Sequence, residues 1–474
     1  MMEKPREKCA VVGIASSSPS RTSSYIYYAL RALQHRGQES AGIAVYSRGM
    51  KCIKDLGLVG EIFHESNLKK LRGKSGIGHV YYSIRLSRPE NAQPHIIDTP
   101  SGTMALGHNG IITNSAALKR KMDRKNHDYN LGSEEETIAF MLSDEMAYGL
   151  SFPEAMRRVI PNLKGSYSMT FLHDNTVYGL RDPHAIKPLC IGKFDGGHII
   201  ASENVAIDVL DGEFIRDVRP GELIELTGKG FKSHQLVESK KKAHCFFEYL
   251  YFARADSVLD GKWIYEIRRN IGALLHRLYP VEADVVVPVP DSGRTYALGY
   301  SEASGIPVAE GLMKNRYIAR TFIMPDQKAR DISVREKVNP VKPIIQGKRV
   351  ILVDDSIVRG TTMRRIVSIM RQAGATEVHV RIGCPPIIAP CYLGIDMTTR
   401  DQFIATEKTV EDIAKELGAD SVGYDTIEGV VKTLGFKKNE LCLGCITELY
   451  PVSIPKEMHR FQKKLLDFHF KENS

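Results

Sequence analysis

The sequence predicts two domains in series, a sheet-rich α+β half followed by an α/β half. Its 474 residues suffice for two or three cores of ordinary size and exclude a single small module. Between Thr227 and Ala243 the apolar patterning stops, and Gly, Ser and the run Lys240-Lys241-Lys242 mark a boundary. The order of elements also changes there. Short apolar strands with Gly-containing turns dominate before the boundary, and strand, loop, helix units follow it.

In the first half, Ala10 to Ala15, Tyr167 to Leu172 and Gly221 to Leu226 are apolar runs of strand length, whereas Tyr25 to Leu33 and Glu136 to Met146 carry helical spacing. In the second half, Ala283 to Pro288 and Arg349 to Val353 read as buried strands, each ending in a polar turn. Met363, Ile366, Val367 and Met370 then fall on one helical face, and Gly374 supplies the stop.

The net charge of +9 is spread along the whole chain. It argues against a nucleic-acid groove and suits small anionic substrates. No run approaches the ~18 apolar residues of a membrane span, and residues 1–8 lack the apolar stretch of a signal peptide. The expected location is cytoplasmic, with neither membrane nor nucleic acid as partner. The eight cysteines, at 9, 52, 190, 245, 384, 391, 442 and 445, then favour reduced thiols, metal sites or catalysis over a disulfide framework.

The segment Val350 to Thr362 carries the first chemistry. A strand delivers Asp354 and Asp355, and a turn through Ser356, Arg359, Gly360, Thr361 and Thr362 opens a helix, where unpaired N–H donors and the helix dipole favour a phosphate. Adjacent carboxylates repel one another unless a cation or donating hydroxyls stand in front of them, and hard oxygen ligands suit Mg²⁺. The plain alternative is an acidic strand end with an Asp/Ser helix cap. The segment is similar to the 5-phosphoribosyl-1-pyrophosphate (PRPP) loop of type I phosphoribosyltransferases. Val289 to Arg294 follows the other strand as their pyrophosphate loop does. The resemblance assigns Asp291, Ser292 and Gly293 to PRPP, and Ser292 to Mg²⁺ beside Asp354 and Asp355. From Lys314 to Pro340, seven cations face three anions in a helix-poor stretch. Between two phosphate loops it suits a lid that excludes water from a reactive sugar.

Cys9 to Ile14, Leu33 to Ile43 with Arg36, and His108-Asn109-Gly110, together with Gly165 to Ser168 and Arg181-Asp182-Pro183, resemble the N-terminal-nucleophile glutamine amidotransferases in order and spacing. The resemblance implies an αββα sandwich over residues 9–235, a removable leader over 1–8 and Cys9 as nucleophile, its freed α-amine serving as base. Asn109 and Gly110 would form the oxyanion hole, and Arg36 would help build the glutamine pocket. The two halves together resemble the amidophosphoribosyltransferase family, with the phosphoribosyltransferase domain over 245–450 and a helical tail over 451–474. The implied reaction releases ammonia from glutamine at Cys9 and passes it through an internal channel to C1 of PRPP. Relatives are homo-oligomers, commonly tetramers.

Cys442-Leu443-Gly444-Cys445, with Cys391 and Cys245, could complete a four-sulfur set, and sulfur chemistry alone admits Zn²⁺ or a [4Fe–4S] cluster. The iron-sulfur subgroup of the family has cysteines at these four places, which favours the cluster, in a structural role. Cys52, Cys190 and Cys384 are expected in the core. The resemblance weakens at the glutamine pocket. Tyr81, Ile84 and Leu86 stand where relatives have Arg, Thr and Gly; Glu134, which the resemblance places with Ser133 on the glutamine amine, stands where they have Asp; Ala10 follows the nucleophile where they have Gly, and Ala185 and Lys187 replace Gly and Arg. The departures imply an ammonia-dependent enzyme with impaired glutamine use, reachable only if Arg85 or Arg88 does not substitute. A PRPP-sensing regulator without catalysis is the remaining alternative.

Overall fold

The computed structural model describes residues 9–82, 89–124, 132–227, 229–315, 338–397, 400, 403–456 and 458. The leader 1–8, Ile84, Arg85, Leu86 and Arg88, the lid segment from Arg316 to Lys337, and the tail after Met458 lie outside them.

In the first half the strands are β1 (Cys9–Ser16), β2 (Ser40–Tyr46), β3 (Met50–Leu56), β4 (Ser75–Tyr81), β5 (His95–Thr99), β6 (Gly102–Ile112), β7 (Gly165–His173), β8 (Thr176–Arg181), β9 (Cys190–Phe194), β10 (Gly197–Ala201), β11 (Glu213–Asp217), β12 (Glu222–Thr227) and β13 (Gly230–Gln235). They form two antiparallel sheets, ordered β11-β9-β10-β1-β4-β2-β3 and β13-β12-β8-β7-β6-β5. Strand alternation explains the layering. Val11 and Ala15 of β1 meet Ile77, Ala105 and Leu172 between the sheets. Ala10, Val12 and Ile14 point the other way, against Ile26, Ala29 and Leu30 of helix α1 (Thr22–Ala32). Helices α2 (Glu134–Met146) and α3 (Phe152–Val159) cover the outer face of the second sheet through Ile138, Leu142 and Met156. Both sheets are therefore buried on two faces, which gives the expected αββα sandwich. Ser133 caps α2 by accepting from the Glu136 N–H at 3.1 Å.

The chain crosses to the second half through β14 (His244–Cys245) and a short hairpin, β15 (Val258–Leu259) with β16 (Lys262–Trp263). The sheet of that half comprises β17 (Val285–Pro288), β20 (Arg349–Asp354), β21 (Glu377–Ile382) and β22 (Ser421–Tyr424), all parallel and in that order across the sheet. A small pair, β18 (Leu312–Lys314) with β19 (Val338–Pro340), flanks the lid segment, and β23 (Leu441–Cys442) closes the set beside β14. Helices α4 (Ile264–Leu278), α5 (Arg294–Ser304) and α6 (Thr361–Gln372) cover the sheet. Met363, Ile366, Val367 and Met370 of α6 are buried, as their spacing predicts. Cys190 and Cys384 are in the core, and Cys52 packs half-buried at its edge.

Candidate active site

Parallel pairing of β17 with β20 sets two loops side by side at the carboxyl edge of the sheet, where ligands of open α/β sheets bind. Asp354 and Asp355 end β20 with both side chains buried. Asp354 accepts the Asp355 N–H at 2.9 Å, Asp355 accepts the Ser356 hydroxyl at 2.5 Å, and Ser292 Oγ reaches Asp354 Oδ1 at 3.4 Å from the neighbouring loop. Asp291 is paired with Lys314 at 2.8 Å.

Asp354, Ser356, Arg359, Gly360 and Thr362 line one small hollow at the start of α6. Gly360 caps the helix at φ +78°, a left-handed conformation that favours glycine, and a Cβ there would sit 2.4 Å from Ile404 Cδ1. The Thr361 hydroxyl is buried with no hydrogen-bond partner among the described residues. An orphan donor beside a helix N-terminus is suited to an anion. The donor set also fits Mg²⁺: two carboxylates and a hydroxyl are hard oxygens, and they fill only part of the ion's octahedral shell.

In the sandwich, alternation puts Cys9 on the inner face of β1 with Val11, in register with Tyr81 of β4. Asn109 lies on the inner face of β6, the strand that packs across from β1. Asn109 is fully buried, and neither its Oδ1 nor its Nδ2 has a partner among the described residues. Gly110 has φ +144°, and a Cβ there would lie 2.0 Å from Ser166 O. Glycine is thus obligatory at the position next to the orphaned amide.

Behind this edge, Glu134 accepts the Ile112 N–H at 3.0 Å, and His108 Nδ1 meets Glu135 at 3.1 Å. Burial acts to raise the Glu135 carboxyl, but the hydrogen bond and charge of His108 override it and lower it to about 2. Burial likewise lowers His79 to about 3, which keeps it neutral beneath Tyr81.

Arg36 lies at the domain junction. Its guanidinium bonds Glu203 of the first half and Glu248 of the second, the latter at 2.7 Å, with all three side chains buried. Burial raises and the Arg36 charge more than reverses the Glu203 carboxyl, leaving it well below its usual range. A cavity of about 1060 Å³ opens here. It is lined from one half by His35, Arg36 and Tyr82 and from the other by Tyr251, Arg254 and Ser292.

The four cysteines gather near the same junction. Parallel pairing of β14 with β23 sets Cys245 opposite Cys442, and the Ile388 and Ala389 N–H groups both bond Cys445 O at 3.0 Å, bringing in the loop that carries Cys391. None of the four is paired in a disulfide. Burial, then the neighbouring thiols, raise Cys445 well above the ordinary range. Among the described residues no group of three or more His, Cys, Asp or Glu is set to hold a metal ion.

Comparison with known proteins decides the family. A glutamine amidotransferase domain family matches residues 79–209, and a phosphoribosyl transferase domain family matches 255–384. An amidophosphoribosyltransferase of Methanocaldococcus jannaschii is 46% identical over 463 residues, 94% of this chain and 98% of that one. One from Archaeoglobus fulgidus is 48% identical over 453 residues, 95% and 99% of the two chains. The chain belongs to the amidophosphoribosyltransferase family. Solved structures agree. The glutamine PRPP amidotransferase of B. subtilis complexed with ADP and GMP superimposes with a TM-score of 0.88 at 39% identity, covering 95% of this chain and 98% of that one. A structure described as the allosteric regulatory enzyme of purine biosynthesis gives 0.89 at 38%, covering 95% and 97%. No helix among the described residues is long and apolar enough to cross a membrane.

In this chain the partnerships that sequence reasoning overlooks are those of the junction. Glu203 and Glu248 carry no signal of their pairing with Arg36, and the motif that contains Arg181 says nothing of its bond to Asp260 at 2.9 Å. Arg36 is flagged by its segment, but its two carboxylate partners are 167 and 212 residues away.

Proposed function

We propose that this chain converts PRPP, glutamine and water to 5-phosphoribosylamine, pyrophosphate and glutamate, the opening step of purine synthesis. The observation that carries the proposal is one cavity at the domain junction, lined by Arg36 and Tyr82 of the first half and by Asp291 and Ser292 of the second. Cys9, with the leader 1–8 removed, attacks the glutamine amide carbon, and its α-amine takes the thiol proton and returns it to the departing ammonia. Asn109 Nδ2 and the Gly110 N–H stabilise the oxyanion, and water then releases glutamate. The unpaired Asn109 amide supports this role. Ammonia crosses the cavity and attacks C1 of PRPP as pyrophosphate departs. Delivered within the protein rather than through bulk water, it would keep the lone pair that protonation removes.

For the sugar, the N–H groups and hydroxyls of Ser356, Arg359, Gly360, Thr361 and Thr362 hold the 5-phosphate, Asp354 and Asp355 hold the ribose hydroxyls, and Asp291, Ser292 and Gly293 hold the pyrophosphate. Ser292, Asp354 and Asp355 would hold Mg²⁺, whose positive charge would offset that of the pyrophosphate. Cys245, Cys391, Cys442 and Cys445 would hold a structural [4Fe–4S] cluster, with Zn²⁺ the alternative occupant; the pairing that sets Cys245 opposite Cys442, and the Ile388 and Ala389 N–H bonds to Cys445 O, support it. The domains are 9–235 and 245–450, the location cytoplasmic, and the assembly a homotetramer.

One observation favours a second reading, ammonia-dependent amination with weak glutamine use. Tyr81, where relatives present Arg, stands in register with Cys9, so a charge-assisted bond worth about 1.5–3 kcal/mol is missing. The deciding experiment measures pyrophosphate release from PRPP and Mg²⁺ with each nitrogen donor. Turnover with glutamine equal to that with ammonia removes the second reading, and no turnover with either removes both.

A further inference from the structure

We infer that Ser166 and Gly394 are positioning residues for the oxyanion pair Asn109 and Gly110, and that through them the loop carrying Cys391 sets the geometry of the amide-hydrolysing site. The inference rests on the assignment of Cys9, Asn109 and Gly110 to that site.

Gly110 is held from two sides. Ser166 of β7 places its carbonyl oxygen where a Gly110 side chain would begin. The buried Ser166 hydroxyl in turn donates to Leu393 O at 2.7 Å, across 227 residues of sequence and from one domain to the other. Next along the chain, Gly394 has φ +105°, and a Cβ there would stand 3.4 Å from Gly110 Cα and 3.0 Å from Lys187 Cε. The left-handed φ favours glycine, and it sets the turn within van der Waals reach of the strand. The buried Lys187 is wedged against the same turn, and its ammonium lies 3.9 Å from Glu248.

The far end of the turn is anchored at the sulfurs. The Leu393 N–H donates to Cys391 Sγ at 3.3 Å, the Cys391 N–H to Met397 O at 2.8 Å, and the Tyr450 hydroxyl to Pro390 O at 2.5 Å. From Cys391 to Gly394 is three residues, at most about 10 Å of chain. So short a link transmits displacement at one end to the other. Oxyanion donors act only within a few tenths of an ångström of their proper place, so the position of Cys391 bears on glutamine hydrolysis. The pentose site stands on the β17 and β20 loops instead.

The test uses full-length protein prepared without oxygen, as Ser166→Ala and Gly394→Ala. For both we expect kcat for glutamine hydrolysis to fall about 10-fold or more, because displaced donors lose part of the 10²–10³ that one is worth. KM should move less than about 2-fold. Alkylation of Cys9 by iodoacetamide, ammonia-dependent pyrophosphate release, and bound iron, sulfide and zinc should match the parent. Parental kcat in Ser166→Ala, which adds no atom and should fold even where Gly394→Ala does not, overturns the inference. Equal loss of both activities together with metal also overturns it, since that is the signature of general destabilisation. A parent that uses ammonia but never hydrolyses glutamine overturns the site assignment and the inference with it.

Discussion

Replacing Asn109 by Ala separates catalysis from stability. If its amide is one of two oxyanion donors, its loss costs about 10²–10³ in kcat for glutamine hydrolysis, or roughly 2.7–4 kcal/mol of transition-state stabilisation. The resting protein gains nothing comparable from the same group. Asn109 is fully buried and both its polar atoms lack partners among the described residues, a state that costs roughly 1–3 kcal/mol per group. Truncation leaves a void of about 50 Å³, worth roughly 1.2 kcal/mol at ~24 cal/mol per Å³. The two stability effects nearly cancel or favour the variant. At roughly 2–4 °C per kcal/mol, Tm should stay within a few degrees of the parent or rise. The assay pairs glutamate release and ammonia-dependent pyrophosphate release with a thermal melt. Hydrolysis within about 10-fold of the parent would refute the oxyanion role, and a Tm lowered by more than about 5 °C would show that the amide is bonded at rest.

Thr361→Val removes the orphan hydroxyl beside the α6 N-terminus, and a lost bond to a phosphate should raise KM for PRPP about 10-fold or more with Tm unchanged; a KM within 2-fold of the parent contradicts the cradle. Burial pushes the Asp425 carboxyl up to about 7, only partly offset by the Thr426 N–H it accepts. A raised native pKa means this group's stabilising contribution is full below its unfolded value, ~3.9, and is lost as pH rises to about 7. Asp425→Asn should therefore melt higher than the parent at pH 8 and no higher at pH 4, and parallel pH profiles would disprove the linkage. Protein isolated without oxygen should contain iron and sulfide in equal amounts, and Cys442→Ser should lower both; undiminished metal in that variant excludes Cys442 as a ligand. Glu203→Gln should lower the ratio of phosphoribosylamine formed to glutamate released, because the carboxylate orders cavity walls from both halves; an unchanged ratio with reduced Tm would confine it to stability.

Local chemistry was legible, and distant pairing was not. Asp354 and Asp355 announce themselves because an apolar strand, two acids, a Gly-containing turn and a helical stripe follow one another within 24 residues. Each signal is short-range and each has a physical cause. Glu135 shows the opposite case. In sequence it is one of three acids opening a helix, where solvent exposure is the ordinary outcome, yet the structure buries it against His108. Arg36 was legible as a pocket residue only by resemblance. Its placement between Glu203 and Glu248 depends on how two domains meet, and no periodicity encodes that. The contact of Ser166 with Leu393 is equally silent, since a Ser inside a strand reads the same whether its hydroxyl meets a neighbour or another domain.

The junction bears on why two chemistries share a chain. A buried cluster of Arg36, Glu203 and Glu248 is a poor way to gain stability, because apolar side chains of similar volume would serve as well or better. Breaking it, however, strands an uncompensated charge at roughly 3–5 kcal/mol, so the cluster tolerates one arrangement of the domains and penalises others. Glu203 also accepts the Arg254 N–H at 3.0 Å and the Ser257 hydroxyl. The carboxylate that holds Arg36 thus holds the segment lining the opposite cavity wall. Net attraction between the halves could come from any apolar seam. Under the proposed function, transfer of ammonia between the halves needs walls held in register, and a cluster of directional charges supplies it.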